Sequence, residues 1–423
     1  MGLVGLLVAS CSQDPAEAPQ QATEQAARQQ ATRQQAEVVV DAEVAPFQRD
    51  LLEFAFEAAS KFPKFPHKKN RGRAQEQVLE ACFELELPKL ALSMAPQAEG
   101  WRRGLVYADF AYFSAKQGVT AYAPEYLEMA EAVIAEELAD PAHQAWRVDK
   151  VRQKISRALA ELGRLDEAVE VAGKIDPSSR GSVDVHWAAT ISTKVQDMDA
   201  AQAREDLQRI TESWESQTLG EQYASLLVLS ALHGRFFEDE ALRAALEERV
   251  LLRYFKLPAS VRLDAMAPMV GHYLANEDVE GAKDVIVQMG DLIEKTRWRT
   301  EDQLPELSRL AELRIDAGDR VRARADLEAA LRSYQEQRDS MFDIYRCEAL
   351  RPVALGFHAL GDAEQFAGLL ALAVEEGAEN PNARPRCDDL VETCVTLARR
   401  GIEPPPAVMA RLREISAGLV EPW

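Results

Sequence analysis

Six histidines, His67, His143, His186, His233, His272 and His358, are the chain's candidates for proton transfer or metal ligation, and no two of them lie three or four residues apart. That spacing is the one that sets two imidazoles on the same helix face. The local signatures of hydrolytic, redox and phosphate chemistry are missing as well: HExxH, CxxC, GxSxG, the Walker loop and GxGxxG do not occur. Paired carboxylates could cleave a glycosidic bond when they stand about 5 to 9.5 Å apart, but 70 acidic residues supply so many pairs that none is singled out. Glu125, Glu128 and Glu131 show the difficulty. They share a helix face within Gln117 to Ala142, a stretch without Lys or Arg, and the default for such a face is solvation, with a basic segment or a cation as the alternative occupant. No metal, no cofactor and no catalytic group is expected.

Charge narrows the partners further. With 70 Asp and Glu against 49 Lys and Arg the net charge is -21, a field that repels phosphate backbones over most of the surface. Nucleic acid is not an expected partner. Against that background KFPKFPHKKNRGR, from Lys61 to Arg73, holds six cations and no acid: Lys61, Lys64, Lys68, Lys69, Arg71 and Arg73. Two readings stand. The segment could contact anionic headgroups or cell-wall polymer, with Phe62 and Phe65 dipping into the interface, or it could be a solvated connection that neutralises neighbouring acids. Tyr107, Phe110, Tyr112, Phe113, Tyr122 and Tyr126 similarly suit a helix core or a ligand groove.

Positioning any of these residues falls to helices. Strand patterns are short, and Asn-Gly or Asp-Gly hairpin turns are absent. WRRGLVYADFAYFSAKQG, from Trp101 to Gly118, and WRVDKVRQKISRALAELG, from Trp146 to Gly163, have the same length and the same ends, forty-five positions apart. The second continues as RLDEAVEVAGKIDP, which places Ser156, Gly163 and Ala168 where two antiparallel helices need small side chains and a left-handed turn. Ala311, Gly318 and Ala323 recur in the same relation, Ala189 with Ala201 and Ala282 echo it, and weaker units surround Gly361 and Gly401.

These units resemble tetratricopeptide repeats over most of residues 74–415, with a spacing that drifts beyond the family's period of about thirty-four. The resemblance implies an all-α fold, an α-solenoid of stacked antiparallel hairpins whose grooves hold a peptide or protein partner. Helices are predicted near Pro46 to Ser60 and Ala74 to Glu84, with breaks at Pro88, Pro96, Pro141, Pro177, Pro258, Pro305 and Pro381, and a last helix from Pro406 to Ala417 capping the array.

The first residues carry a second resemblance. MGLVGLLVAS ends in small residues directly before Cys11, and Val8-Ala9-Ser10-Cys11 resembles a bacterial lipobox, without the Lys or Arg that usually precedes the apolar run. The resemblance implies a signal peptide over residues 1–10, cleavage before Cys11, lipid on its sulfur and, from Ser12, delivery to the outer membrane. Residues 11–45, rich in Gln and Ala, are then a flexible tether, and residues 46–423 the repeat domain. If Cys11 is lipidated, Cys82, Cys347, Cys387 and Cys394 remain. Cys387 and Cys394 on one helix would rise about 10.5 Å, too far for a disulfide. The sequence thus predicts a non-catalytic interaction scaffold on the periplasmic side of a bacterial envelope; a carbohydrate-binding lipoprotein and an α/α-toroid polysaccharide enzyme are the alternatives.

Overall fold

The computed structural model describes residues 38–176, 198–253 and 257–423. Among them are eighteen α-helices and no strand, packed as successive antiparallel hairpins. In chain order they are α1 Pro46–Ala59, α2 Lys68–Glu84, α3 Pro88–Met94, α4 Arg102–Lys116, α5 Ala123–Ala139, α6 Ala145–Glu161, α7 Leu165–Gly173, α8 Ala200–Ser213, α9 Leu219–Arg235, α10 Glu240–Glu247, α11 Ala259–Ala275, α12 Val279–Lys295, α13 Thr300–Asp316, α14 Arg320–Gln337, α15 Asp343–Ala359, α16 Ala363–Ala378, α17 Ala383–Arg400 and α18 Pro406–Ala417. Cys11, the leader, residues 11–37, His186, Ala189 and Pro177 lie outside the described residues.

Helix α6 shows how sequence makes a hairpin. Val148, Val151, Ile155 and Leu159 recur at helical spacing and are all buried, each contributing about 1.5 to 3 kcal/mol of apolar burial. The helix ends where Gly163 takes φ +75°, a conformation that costs a residue without a Cβ little. The Arg164 amide then donates back to the Leu159 carbonyl at 2.9 Å, satisfying an orphan acceptor of the last turn. The same five-residue back-bond closes helices at Leu87 to Cys82, Val119 to Ser114, Asp278 to Tyr273, Asp319 to Arg314, Asp362 to Phe357 and Ile402 to Leu397. It marks the repeat more faithfully than the sequence identities do. Where glycine is missing, Glu86 and Glu277 adopt the positive φ themselves, at 54° and 61°.

Two expected boundaries move. Helix α2 starts at Lys68 rather than Ala74, so the second half of the basic segment is helical. A Cβ at Gly72 would meet the Arg102 guanidinium at 2.7 Å; the glycine serves a close approach and not a turn. Pro305 falls inside α13 instead of breaking it. Residues 38–45, assigned to the tether, lie along the fold: Val39 is buried against Phe110 and Val119, and the Ala42 amide donates to the Glu86 carbonyl.

The largest departure concerns the ends of the array. Helix α17 packs against α1 and α2, and one hydrophobic core runs through residues 51–171 and 304–419 together. Gln48 donates to the Ala398 carbonyl at 2.7 Å, Lys61 to the carbonyl and hydroxyl of Ser416, and the Cys387 thiol to the Ala58 carbonyl. The Phe62 ring lies tilted against Trp423 with centroids 4.9 Å apart, and Arg399 pairs with Glu84 at 2.6 Å. Helix α18 occupies its expected residues, but it is no open-ended cap: with α17 it joins the end of the array to its beginning.

Candidate functional site

Helices α2, α4 and α6 are the first helices of neighbouring hairpins, and each turns one stripe at helical spacing toward a shared cleft. The stripes are Glu76, Leu79, Glu80 and Phe83 on α2, Arg102, Leu105, Val106 and Asp109 on α4, and Lys150, Gln153 and Lys154 on α6. The cleft encloses roughly 420 Å³, counting solvent at its mouth. Leu79, Phe83 and Val106 are buried and form an apolar floor.

Its cations are already partnered. Arg102 Nε donates to Glu76 Oε2 at 2.6 Å, Lys150 Nζ lies 3.7 Å from Glu76 Oε1, and Lys154 Nζ lies 2.9 Å from Asp109 Oδ2. Each pair bridges two hairpins, so the charges fix the register of the three helices as well as the polarity of the wall.

Two acceptors are left over. Gln153 is 3% exposed, and its Oε1 is buried with no hydrogen-bond partner. Water reaches the Glu80 carboxylate, but the cleft walls crowd it, and no hydrogen bond or ion pair reaches it from the described residues. Desolvation first, then the Glu76 carboxylate, raises its pKa, while Lys154 and Lys150 pull it down.

The residues singled out in the sequence are placed elsewhere. Ser156 donates from its hydroxyl to the Ala168 carbonyl at 2.8 Å, at the close contact of α6 and α7. Ala311 and Ala323 are fully buried, and Gly318 has φ +83°. Of the basic segment, Lys61 is committed to Ser416, while Arg71 donates to the Ser60 and Phe62 carbonyls and lies 3.3 Å from Glu99. Lys64 lies 3.4 Å from the same Glu99, and Lys68, Lys69 and Arg73 are exposed. Phe62 is 1% exposed, which removes it from any external interface; Phe65, at 83%, remains outside. Glu125, Glu128 and Glu131 are solvated. Tyr107, Phe110, Tyr112 and Phe113 are core, with Tyr126 against Phe110 at 4.5 Å and Tyr122 exposed.

No family model matches the chain, and no curated protein or solved structure matches it. The tetratricopeptide and lipobox resemblances therefore stand on the quoted residues alone.

A second group of titratable side chains lies outside the cleft. His233 and His272, on separate hairpins, meet with their Nδ1 atoms 3.1 Å apart, and His233 Nε2 lies 3.4 Å from Glu247, which also accepts from the Tyr273 hydroxyl. Desolvation, then His233, lowers the pKa of His272 to about 4, so it is neutral near pH 7. Among the described residues no group of three or more His, Cys, Asp and Glu is arranged for a metal. Cys82, Cys347, Cys387 and Cys394 are free and buried, and burial pushes the Cys82, Cys347 and Cys394 thiols up to about 12. They are not nucleophiles at neutral pH.

The cleft residues were not singled out in the sequence, although a signal was present. Glu76, Leu79, Glu80 and Phe83 repeat the spacing of Arg102, Leu105, Val106 and Asp109, and a polar-apolar stripe at i, i+3, i+4 and i+7 on successive first helices marks a shared surface.

Proposed function

We propose that the protein is a non-catalytic scaffold of tetratricopeptide-like hairpins that holds an extended segment of a partner protein in the cleft of α2, α4 and α6. One observation carries the reading: three successive hairpins bring the same stripe to one cleft, with an apolar floor and charges locked in inter-hairpin pairs of 2.6 to 3.7 Å. Such a wall is preorganised, so little ordering cost is left for binding. The lipobox resemblance supports a second part of the proposal, that Cys11 carries lipid and holds the scaffold on the periplasmic side of a bacterial membrane.

Isothermal titration of the full chain with a panel of unstructured peptides tests the scaffold, using Leu105→Trp to fill the cleft. Binding that weakens at least tenfold in a variant with an unchanged circular dichroism spectrum is the expected result. Equal affinity in both proteins, or no binding by any peptide, rejects it; oligosaccharide binding that the Trp blocks would transfer the cleft to the carbohydrate alternative. For the anchor, mass spectrometry of the protein expressed in a Gram-negative cell should find a diacylglyceryl group on Cys11. An unmodified chain starting at Met1 would reject that part without touching the first.

A further inference from the structure

The cleft's polar groups are unevenly satisfied. Its three cations each face a carboxylate, Arg102 and Lys150 that of Glu76 and Lys154 that of Asp109. Two acceptors there make no hydrogen bond, the buried Gln153 Oε1 on α6 and the solvent-exposed Glu80 carboxylate on α2. A buried carbonyl oxygen without a partner costs about 1 to 3 kcal/mol. What complements them is a group with several N–H donors and a positive charge.

Shape selects among such groups. Leu79, Phe83, Leu105 and Val106 line the approach with hydrocarbon, which suits a methylene stem carrying a charge at its tip. The enclosed part of the cleft takes little more than one water-sized group. An ammonium fits that space; a planar guanidinium, with five donors in a fixed fork, is wider. The field of a chain with net charge -21 also draws cationic segments.

We propose that the cleft is a reading site for a lysine side chain of the partner segment, its stem along Leu79, Phe83, Leu105 and Val106 and its ammonium donating to Gln153 Oε1 and Glu80. This rests on the scaffold reading and specifies what the scaffold recognises. A single ordered water could satisfy Gln153, but it would bring no hydrogen-bonded charge to Glu80, and the peptide series separates the two cases.

The probes are N-acetylated and C-amidated nonapeptides of one sequence, uncharged outside the central residue, which is Lys, norleucine, Nε-acetyl-lysine or Arg, titrated into the full chain. The Lys peptide should bind at least tenfold tighter than the norleucine, acetyl-lysine and Arg peptides. Glu80→Gln and Gln153→Leu should each abolish that preference, so that the Lys and norleucine peptides bind each variant alike, and Gln153→Glu, which adds a second carboxylate, should strengthen Lys-peptide binding several-fold. Glu80 makes no contact that the fold depends on, so its variant remains informative if changes at Gln153 disturb packing. Peptides that bind without regard to the central residue overturn the lysine site and leave the scaffold standing. Arg equal to Lys overturns the commitment to an ammonium. No binding by any peptide overturns both proposals.

Discussion

Two buried glutamines, in two regions of one molecule, divide structure from readiness to bind. Gln75, on α2 near the junction of the array's ends, is completely buried and fully used: its Nε2 donates to Ser60 Oγ and the Gln97 carbonyl, each at 3.0 Å, and its Oε1 accepts from the Glu99 amide at 3.1 Å. Gln153, on α6 in the cleft, is buried almost as deeply, and its Oε1 has no partner. The first holds the turn after α1 against the turn before α4. The second carries a desolvation cost that the fold itself does not recover. A satisfied polar group inside a protein stabilises one arrangement, whereas an unsatisfied one is a cost that a ligand can remove.

The comparison breaks first at Gln75. Gln75→Leu leaves the Glu99 amide, the Gln97 carbonyl and the Ser60 hydroxyl to find new partners, and should lower the urea-derived stability by about 3 kcal/mol or more. A loss below about 1 kcal/mol would show that water replaces those bonds easily and that the junction is loosely built.

Next in size is Asp389 on α17, the helix that joins both ends. Desolvation raises its pKa from 3.8 to about 7, with Arg351 opposing and Asp388 adding. A raised carboxylate binds its proton more readily in the folded state, so its stabilising contribution is complete below the unfolded value near 4 and is lost as the pH rises through about 7. Asp389→Asn should therefore equal the parent at pH 3 and exceed it at pH 8 by about 2 kcal/mol, allowing for the water that still reaches the carboxyl. Melting curves across that range decide it; a constant difference between the two proteins would mean that Asp389 does not titrate within it.

Hairpin packing provides an intermediate case. Ala168→Phe forces a ring into the contact where Ser156 donates to the Ala168 carbonyl, and overpacking of that kind costs about 1 to 3 kcal/mol. An unchanged melting temperature would place Ala168 away from the contact.

Smallest should be Gln153→Leu without ligand. It removes a buried oxygen that has no partner, so stability should stay within about 1 kcal/mol of the parent or rise. A loss as large as that of Gln75→Leu would erase the distinction between the two regions.

Part of this was legible in the residues. Gly163 and Gly318 mark left-handed helix ends because a local back-bond needs positive φ there, and Ser156, Ala168, Ala311 and Ala323 mark close helix contacts because only small side chains fit. Glu86 and Glu277 do the work of those glycines without the signal, which is why their hairpins were harder to see. The basic segment misled in part: Phe62 is covered by Trp423 and Lys61 is held by Ser416, both more than 350 positions away along the chain.

By itself the sequence determined the all-α class, the hairpin as the repeating unit and the close contacts inside each hairpin, because these depend on residues within one or two helix lengths of each other. Only the tertiary structure decided that α17 returns to α1 and α2, that His233 meets His272, and that Glu76 takes cations from two other helices while Gln153 and Glu80 are left as acceptors. Helical periodicity gives the direction of a side chain around its own axis. Which charges find partners depends on how neighbouring hairpins are stacked, and that follows from packing the whole core.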